Sequence, residues 1–140
     1  MPVLSLVRVL VVDDYEPFRR FVCSTLRRRP GLHIVGEALD GLAAVRQAEE
    51  LQPDLILLDI GLPSVNGLQV AREIRKLSPD SKIVFVSQES NPDVVQEAFN
   101  LGARGYVAKT RAASDLLAAA DAVLEGRRFV SSGLTGCGPD

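Results

Sequence analysis

Five polar residues in this chain lie at the ends of short apolar segments, and their types fit phosphoryl chemistry. Asp13 and Asp14 follow the first segment, Asp59 the third, Ser87 the fourth and Lys109 the fifth. Carboxylates bind divalent cations and act as nucleophiles, a lysine ammonium neutralises anions, and a serine hydroxyl hydrogen-bonds them. Taken singly, each residue is more often a turn former, a cap or a surface charge. The complete set, in this order, indicates a reactive site.

The three aspartates are expected to meet in one crevice, although about 45 positions separate Asp14 from Asp59. In an open parallel sheet, ligands bind beyond the carboxyl ends of the strands, where the strand order reverses. In the common order 2-1-3-4-5, the first and third strands are neighbours at that point, about 4.8 Å apart. The segments that precede Asp13 and Asp59 take these two places.

Three ionised carboxylates at such distances repel one another. At about 5 Å and an effective dielectric constant of about 20, each ionised pair costs on the order of 3 kcal/mol. Either some of the carboxyl groups carry protons, or a cation lies among them. Oxygen ligands in a compact site suit Mg²⁺, which keeps several waters and often bridges to phosphate.

The expected mechanism assigns one role to each residue of the set. Asp59 is the nucleophile and forms an acyl phosphate. Mg²⁺, held by Asp13 and Asp14, stabilises charge on the transferred oxygens together with Lys109. Ser87 hydrogen-bonds a phosphoryl oxygen once the group has arrived.

Strand and helix patterns alternate five times, and this frame places the polar residues. Each apolar segment predicts a strand and is followed by apolar residues at helical spacing. The third and fourth segments are continuously apolar, as in strands buried on both faces of a parallel sheet. We therefore predict an α/β fold, a flavodoxin-like doubly wound five-stranded parallel sheet of order 2-1-3-4-5 with five helices on both faces. The predicted strands are residues 7–12, 32–38, 55–58, 83–87 and 105–108.

Capping residues mark the predicted helix ends. Pro17 suits the first turn of the first helix, because its missing N–H is not needed there. Asp40 and Ser114 are the predicted N-caps of the second and last helices. Gly126 is the predicted end of the last helix.

Composition excludes several classes of protein. A net charge of −2 gives the chain no basic footprint for direct nucleic-acid binding. No apolar segment approaches the roughly 18 residues of a membrane span, and residues 1–6 lack the basic start of a signal peptide. Cys23, in an apolar helical pattern, and Cys137, in a glycine-rich stretch, do not make a disulfide framework. These features predict a cytoplasmic protein without a membrane partner.

At this point the sequence resembles the receiver domain of two-component response regulators, over roughly residues 7–126. Residues 9–14, VLVVDD, are similar to the first strand and acidic pair of that family. Residues 57–63, LLDIGLP, resemble its phosphorylation segment, and residues 102–109, GARGYVAK, its last motif. Ser87 stands where the family has a switch serine or threonine.

The resemblance implies a ligand set and partners. Asp14 and Asp59 would bind Mg²⁺ directly, together with the backbone carbonyl of Gly61, and Asp13 would act mainly through water. A sensor histidine kinase would donate the phosphoryl group, and a homodimer would form on phosphorylation. Such a domain catalyses its own phosphorylation and dephosphorylation and is not a conventional turnover enzyme.

The resemblance also implies a readout through Ser87 and Tyr106. Phosphorylation adds about −1.5 to −2 charge, which would draw Ser87 inward and turn Tyr106 inward. The surface of the fourth helix, fifth strand and fifth helix would then change shape. From spacing alone, Tyr106 is instead a core side chain with its hydroxyl at the rim.

Residues 102–106 and 126–130 resemble the LuxR-type subfamily, in which a helix-turn-helix output domain follows the receiver. The sequence therefore predicts a receiver domain over residues 1–126 and a linker or flexible tail over residues 127–140, with no output domain in this chain. The expected output is transcription. A stand-alone receiver, or a pseudo-receiver that acts only through protein binding, is the alternative.

Three positions depart from the common family pattern. Gln88 replaces a small residue and is expected to narrow access to Asp59. Gly61 and Glu89 stand where side chains influence the hydrolytic water, so they leave the lifetime of the phosphoryl group open. Thr110 replaces a frequent proline, which fits the LuxR type.

Two enzyme or cofactor classes fit less well. A nucleotide- or flavin-binding module would need glycines after the first strand, where this chain has Asp13 and Asp14. A hydrolase with an aspartyl-phosphate intermediate commonly carries a second aspartate two residues after its nucleophile. Gly61 occupies that position here.

Overall fold

The computed structural model describes residues 6–63, 65–132 and 134. The strands are β1 (Val7–Val12), β2 (Leu32–Ala38), β3 (Leu55–Leu58), β4 (Lys82–Ser87), β5 (Gly105–Ala108) and β6 (Phe129–Val130). The helices are α1 (Glu16–Leu26), α2 (Gly41–Leu51), α3 (Gly67–Leu77), α4 (Pro92–Asn100) and α5 (Ala112–Leu124), and a 3-10 turn, Lys109–Arg111, joins β5 to α5. The alternation of strand and helix follows the predicted order.

All six strands run parallel in one sheet of order β2-β1-β3-β4-β5-β6. The first five strands have the predicted order. The reversal between β1 and β3 is therefore present, with Val12 paired to Leu58 at the carboxyl end of both strands. Because of this register, Asp13 and Asp59 are the next residues after two paired strand ends and leave the sheet next to each other.

The predicted count of five strands is wrong, because Phe129 and Val130 add a short sixth strand beside β5. The amide of Phe129 donates to the Arg104 carbonyl at 3.1 Å, and the amide of Ser131 donates to the Tyr106 carbonyl at 3.0 Å. Two residues are too few to show the alternating pattern of a strand in the sequence. They form a strand because the edge of β5 offers unpaired backbone groups.

The sheet thus continues past residue 126, where the sequence places the end of the domain, and the domain boundary itself stays a prediction. The structure describes the predicted tail only at residues 127–132 and 134. Cys137 lies outside the described residues.

Two hydrophobic clusters cover the sheet, one on each face. Alternate residues of each strand point to opposite faces, so the continuously apolar β3 serves both clusters. Helices α2, α3 and α4 pack on one face, and α1 and α5 pack on the other, so helices cover both faces of the sheet as predicted. Cys23 is a core residue of α1, 2% exposed. No helix within the described ranges is both long and apolar enough to cross a lipid bilayer.

Local capping explains where most helices begin. Pro17 lies in the first turn of α1, and the carboxylate of Asp40 accepts the amide of Ala43 at 2.8 Å, as a predicted N-cap should. The prediction for Ser114 is wrong, because α5 begins two residues earlier, at Ala112. The 3-10 turn already delivers the chain in a helical direction, and the Ser114 hydroxyl donates back to the Arg111 carbonyl at 3.2 Å.

Candidate functional site

Side chains from four strand ends converge beyond the carboxyl edge of the sheet. The amide of Asp59 continues the β1–β3 ladder by donating to the Val12 carbonyl at 3.1 Å. One oxygen from each of Asp13, Asp14 and Asp59 lies within 4.8 Å of the others. Asp13 and Asp59 are 3% and 6% exposed, whereas Asp14 is exposed. The crevice expected from the strand order is therefore present.

Backbone amides orient the two buried carboxylates. One oxygen of Asp13 accepts the amide of Tyr15 at 2.8 Å, and one oxygen of Asp59 accepts the amide of Gly61 at 3.1 Å. Each bond closes a local turn, as short acidic side chains commonly do. The second oxygen of each carboxylate is the one that faces Lys109.

Lys109 bridges the two buried carboxylates. Its Nζ lies 2.9 Å from Asp13 Oδ2 and 3.3 Å from Asp59 Oδ2, and its side chain is 12% exposed. The residue before it, Ala108, is paired with Ser87 at the end of β4. The end of β5 therefore delivers the ammonium to the carboxylates in the order that the sequence predicted.

Burial and charge oppose each other at Asp59 and Lys109. Burial raises the pKa of Asp59 more than Lys109 and the Gly61 amide lower it, and Asp13 raises it further. Burial also disfavours the charged form of Lys109, but its bonds to both carboxylates outweigh that effect and raise its pKa. Lys109 therefore remains an ammonium at neutral pH. A second cation beside Asp59 would favour the ionised carboxylate that a nucleophile needs.

Ser87 and Tyr106 meet at the main chain of Glu89. The Ser87 hydroxyl accepts the Glu89 amide at 3.0 Å, and the Tyr106 hydroxyl donates to the Glu89 carbonyl at 2.7 Å. Ser87 is 2% exposed and Tyr106 is fully buried. Burial raises the pKa of Tyr106 to about 12, so its hydroxyl keeps the proton that it donates. The ring lies inward against Phe85, with centroids 6.1 Å apart.

The loop after Asp59 requires a glycine at position 67. The amide of Gly67 donates to the Ile60 carbonyl at 2.7 Å. A Cβ at Gly67 would collide with the Asp59 carbonyl oxygen and with the Cα of Ile60. This close approach holds the loop that carries Gly61 against the site.

An open cleft of about 730 Å³ gives access to this cluster. Asp14, Asp59, Ser87 and Lys109 line it, whereas Asp13 and Tyr106 lie behind its walls. The remaining lining residues are Tyr15, Ile60, Gly61, Asn66, Leu68, Gln88, Glu89 and Val94. Gln88 and Glu89, two of the departures from the family pattern, thus border the cleft directly.

The sequence did not identify Phe18 as part of the site. Its ring centroid lies 4.6 Å from Lys109 Nζ. The sequence places Phe18 only on the apolar stripe of the first helix, because helical spacing does not distinguish a ring facing the core from a ring facing a cation. The sequence feature that could have identified Phe18 is its position four residues after Asp14, in the first turn of α1.

The donor atoms of the acidic cluster fit a hard divalent cation. Asp13, Asp14 and Asp59 offer carboxylate oxygens, and Gly61 lines the same cleft in the adjoining loop. Oxygen-only donor sets suit Mg²⁺ or Ca²⁺, and Mg²⁺ is the ion that binds through one or two carboxylates together with phosphate.

Comparisons with known proteins agree with this geometry. The family model of the response regulator receiver domain matches residues 9–121. The nitrate/nitrite response regulator NarL of Escherichia coli is 35% identical over 127 residues, which are 91% of this chain and 59% of NarL. The chain spans between 55% and 62% of the length of curated relatives of this kind.

Two solved structures have the same fold at comparable identity. A LuxR-family two-component response regulator from Aurantimonas is 33% identical, with a TM-score of 0.88 over 93% of each chain. The signal receiver domain of NarL from Mycobacterium tuberculosis is 32% identical, with a TM-score of 0.82 over 88% of this chain and 99% of that one. This chain belongs to the response regulator receiver domains of two-component systems and is most similar to their LuxR-type members.

Proposed function

We propose that this chain is a phosphorylation switch that accepts a phosphoryl group on Asp59 from a sensor histidine kinase. The observation that carries the proposal is the convergence of three carboxylates within 4.8 Å, with Lys109 Nζ 3.3 Å from Asp59. Family membership supports the same assignment. The proposed setting is the cytoplasm, where a kinase can reach the open cleft.

We assign the metal ligands by the same reasoning. By the family resemblance, Asp14, Asp59 and the Gly61 carbonyl would hold Mg²⁺, and Asp13 would act mainly through water. Lys109 Nζ lies closer to Asp13, at 2.9 Å, than to Asp59, at 3.3 Å, which supports the less direct role of Asp13. When bound, Mg²⁺ neutralises charge on the oxygens of the incoming phosphoryl group. The exposed position of Asp14 lets a hydrated ion enter from solvent.

The transfer step forms one bond and breaks one bond. A carboxylate oxygen of Asp59 attacks the phosphorus of the kinase phosphohistidine, and the nitrogen–phosphorus bond breaks with its electron pair returning to the imidazole. Burial raises the pKa of Asp59, so the cations beside it maintain the ionised nucleophile. Lys109 then compensates part of the charge on the acyl phosphate.

The switch would run from Asp59 through Ser87 and Tyr106. A hydroxyl that accepts one hydrogen bond keeps a hydrogen of its own, which Ser87 would donate to a phosphoryl oxygen. Ser87 and Tyr106 are both bonded to the main chain of Glu89, so a movement of Ser87 changes the environment of Tyr106. The surface formed by α4, β5 and α5 would then favour a homodimer.

The proposed output is control of transcription by a DNA-binding domain beyond this chain. The transcriptional regulatory protein LiaR of Bacillus subtilis, of which the chain spans 62%, supports this proposal. The reading frame after residue 140 is the direct check, and a helix-turn-helix there is the expected result. A stand-alone receiver is the second candidate, and a pseudo-receiver is disfavoured because Asp59, Ser87 and Lys109 are all in place.

Labelling with a small phosphodonor tests the proposal. With acetyl phosphate and Mg²⁺, the wild-type chain should gain a phosphoryl group that alkali and hydroxylamine remove, and Asp59→Asn should gain none. Asp80→Asn, at an exposed turn before β4, is the matched control and should be labelled like the wild type. Equal labelling of the wild type and Asp59→Asn would reject Asp59 as the acceptor.

A further inference from the structure

We propose that Phe18 is a positioning residue for Lys109, which its ring holds toward the cleft through a cation–π contact. The inference rests on the proposed phosphorylation at Asp59. It adds a partner for Lys109 that the acidic cluster does not supply.

The geometry places the ammonium between three groups. Lys109 Nζ lies 2.9 Å from Asp13 Oδ2, 3.3 Å from Asp59 Oδ2 and 4.6 Å from the centroid of Phe18, above the ring face. An ammonium within about 6 Å of an aromatic centroid is attracted by the negative face of the ring. Because only 12% of the Lys109 side chain is exposed, water weakens this attraction little.

The ring is supported from the opposite direction. Phe18 is half-buried in the first turn of α1 and packs against the cluster formed by α1 and α5. The ring of Phe21, on the same helix, lies 5.7 Å from it at 41°. These contacts restrict the ring, so its face toward Lys109 is a stable feature of α1.

The contact matters because the other partners of Lys109 belong to the acidic cluster. A divalent cation among Asp13, Asp14 and Asp59 draws on the same carboxylate charge that holds the ammonium. A phenyl ring has no lone-pair oxygen and does not bind a hard cation. Phe18 is therefore the Lys109 partner that such a cation leaves in place, and it keeps the ammonium beside Asp59.

The competing explanation is that Phe18 only fills space beside the core. Ring fluorination separates the two roles, because fluorine withdraws charge from the ring face while the side chain stays apolar and nearly unchanged in shape. A packing role predicts an unchanged or slightly more stable protein. A cation–π role predicts a stepwise loss of Lys109 function.

The experiment replaces Phe18 in the full chain with phenylalanine carrying one, two or three ring fluorines. The rate of labelling by acetyl phosphate at saturating Mg²⁺ should fall with each fluorine, by about two- to tenfold over the series. The same series at Phe129, which is half-buried in β6, is the matched control and should be flat. Phe18→Tyr should be labelled at the wild-type rate, and Phe18→Leu should be labelled at least as slowly as the variant with three ring fluorines.

A second measurement needs neither phosphodonor nor metal. The methylene protons of Lys109 next to Nζ should be shifted upfield in the NMR spectrum by the ring of Phe18, and Phe18→Leu should abolish the shift. Absence of that shift in the wild type would overturn the contact. If the wild type is labelled and all Phe18 variants are labelled at the same rate, the positioning role of Phe18 is wrong. If the wild type is not labelled at all, the phosphorylation proposal is wrong, and the NMR measurement alone tests the contact between Phe18 and Lys109.

Discussion

Two aspartates, one buried in the cleft and one half-buried beside the sixth strand, have opposite electrostatic properties. Burial raises the pKa of Asp59, and its hydrogen-bond and charge partners do not offset this effect. Burial also acts to raise the pKa of Asp115, but the hydrogen bonds to its carboxylate and the charge of Arg111 together outweigh burial and lower the pKa. The protein alone therefore does not favour the ionised form of Asp59, whereas it does favour the ionised form of Asp115.

The partners of Asp115 explain why it is satisfied. Its carboxylate accepts the Ser131 hydroxyl at 2.7 Å and Arg111 Nε at 3.2 Å, and it shares the Ser114 hydroxyl, 3.1 Å away, with the Arg111 carbonyl. The Ser131 hydroxyl oxygen in turn accepts the amide of Ala108 at 3.1 Å. This cluster fastens the chain after β6 to the end of β5, one residue before Lys109.

The number of hydrogen-bond partners distinguishes the structural aspartate from the reactive one. Ser131 is 1% exposed and closes a complete network with Asp115, which is the expected state of a structural site. Asp59 has one amide and one shared ammonium for two oxygens, which leaves it dependent on a further cation. Four experiments test whether the two aspartates and their surroundings differ in this way.

The largest expected effect is on phosphoryl transfer. Lys109→Met should slow labelling by acetyl phosphate about a hundredfold, because it removes a cation that compensates transition-state charge. Asp115→Asn should change the rate by less than about threefold, since Asp115 stabilises structure. Lys76→Met, at an exposed position of α3, controls for loss of a lysine. If Lys109→Met is labelled as fast as the wild type, the cleft does not differ from the Asp115 region in this respect.

Binding of Mg²⁺ should also separate the two regions. Millimolar Mg²⁺ should raise the Tm of the wild type and of Asp115→Asn, because the ion binds the folded state selectively. Asp14→Ala should weaken Mg²⁺ binding about tenfold or more and remove most of the Tm increase. Differential scanning calorimetry across a Mg²⁺ titration measures both, and an unchanged titration in Asp14→Ala would contradict its role as a ligand.

Stability should depend on the structural region instead. Ser131→Ala leaves the partly buried amide of Ala108 without its acceptor and removes one donor from the carboxylate of Asp115, so it should lower the free energy of unfolding by about 1–3 kcal/mol. Ser132→Ala, at the exposed next position, should change it by less than about 0.5 kcal/mol. Urea unfolding measures both, and equal effects would show that the Ser131 network contributes little.

The smallest effect is a difference in pH dependence, measured without metal. Asp115 has a folded-state pKa below its unfolded value, so its stabilisation is present above the unfolded pKa and is lost as the pH falls through the folded pKa. Asp59 has a folded-state pKa above its unfolded value, so its contribution is present at low pH and is lost as the pH rises through the folded pKa.

Comparison with the asparagine variants tests these two signs. At neutral pH, Asp59→Asn should be more stable than the wild type and Asp115→Asn less stable, with both differences shrinking in acid. Urea unfolding from neutral pH down to acid pH gives the differences. Slopes of the same sign for the two variants would contradict the opposite pKa shifts.

The sequence predicted the frame of the fold because that frame depends on local pattern. The apolar segment of β3, residues 55–58, has the bounds that its composition indicated. Strand order and the convergence of Asp14 and Asp59 followed from general rules of parallel sheets. The two-residue β6 and the early start of α5 were not predictable, since both depend on what the edge of β5 offers after folding.

Within the site, residue types were predictable but side-chain partners were not. Lys109 was placed beside the carboxylates by its strand, yet its contact with Phe18 depends on the direction of a ring on a different element. The same holds for Ser131, whose hydroxyl joins Ala108 to Asp115 across the sheet edge. Such bonds arise from three-dimensional proximity, and no spacing in the chain encodes them.

The bonds at residue 89 have a consequence for how related sequences can diverge. Ser87 and Tyr106 contact the amide and the carbonyl of Glu89, and neither bond involves its side chain. Evolution is therefore free to exchange the side chain at this position, and with it the chemistry at the mouth of the cleft, while transmission to the aromatic ring persists. Proline is the exception, because it lacks the N–H that Ser87 accepts.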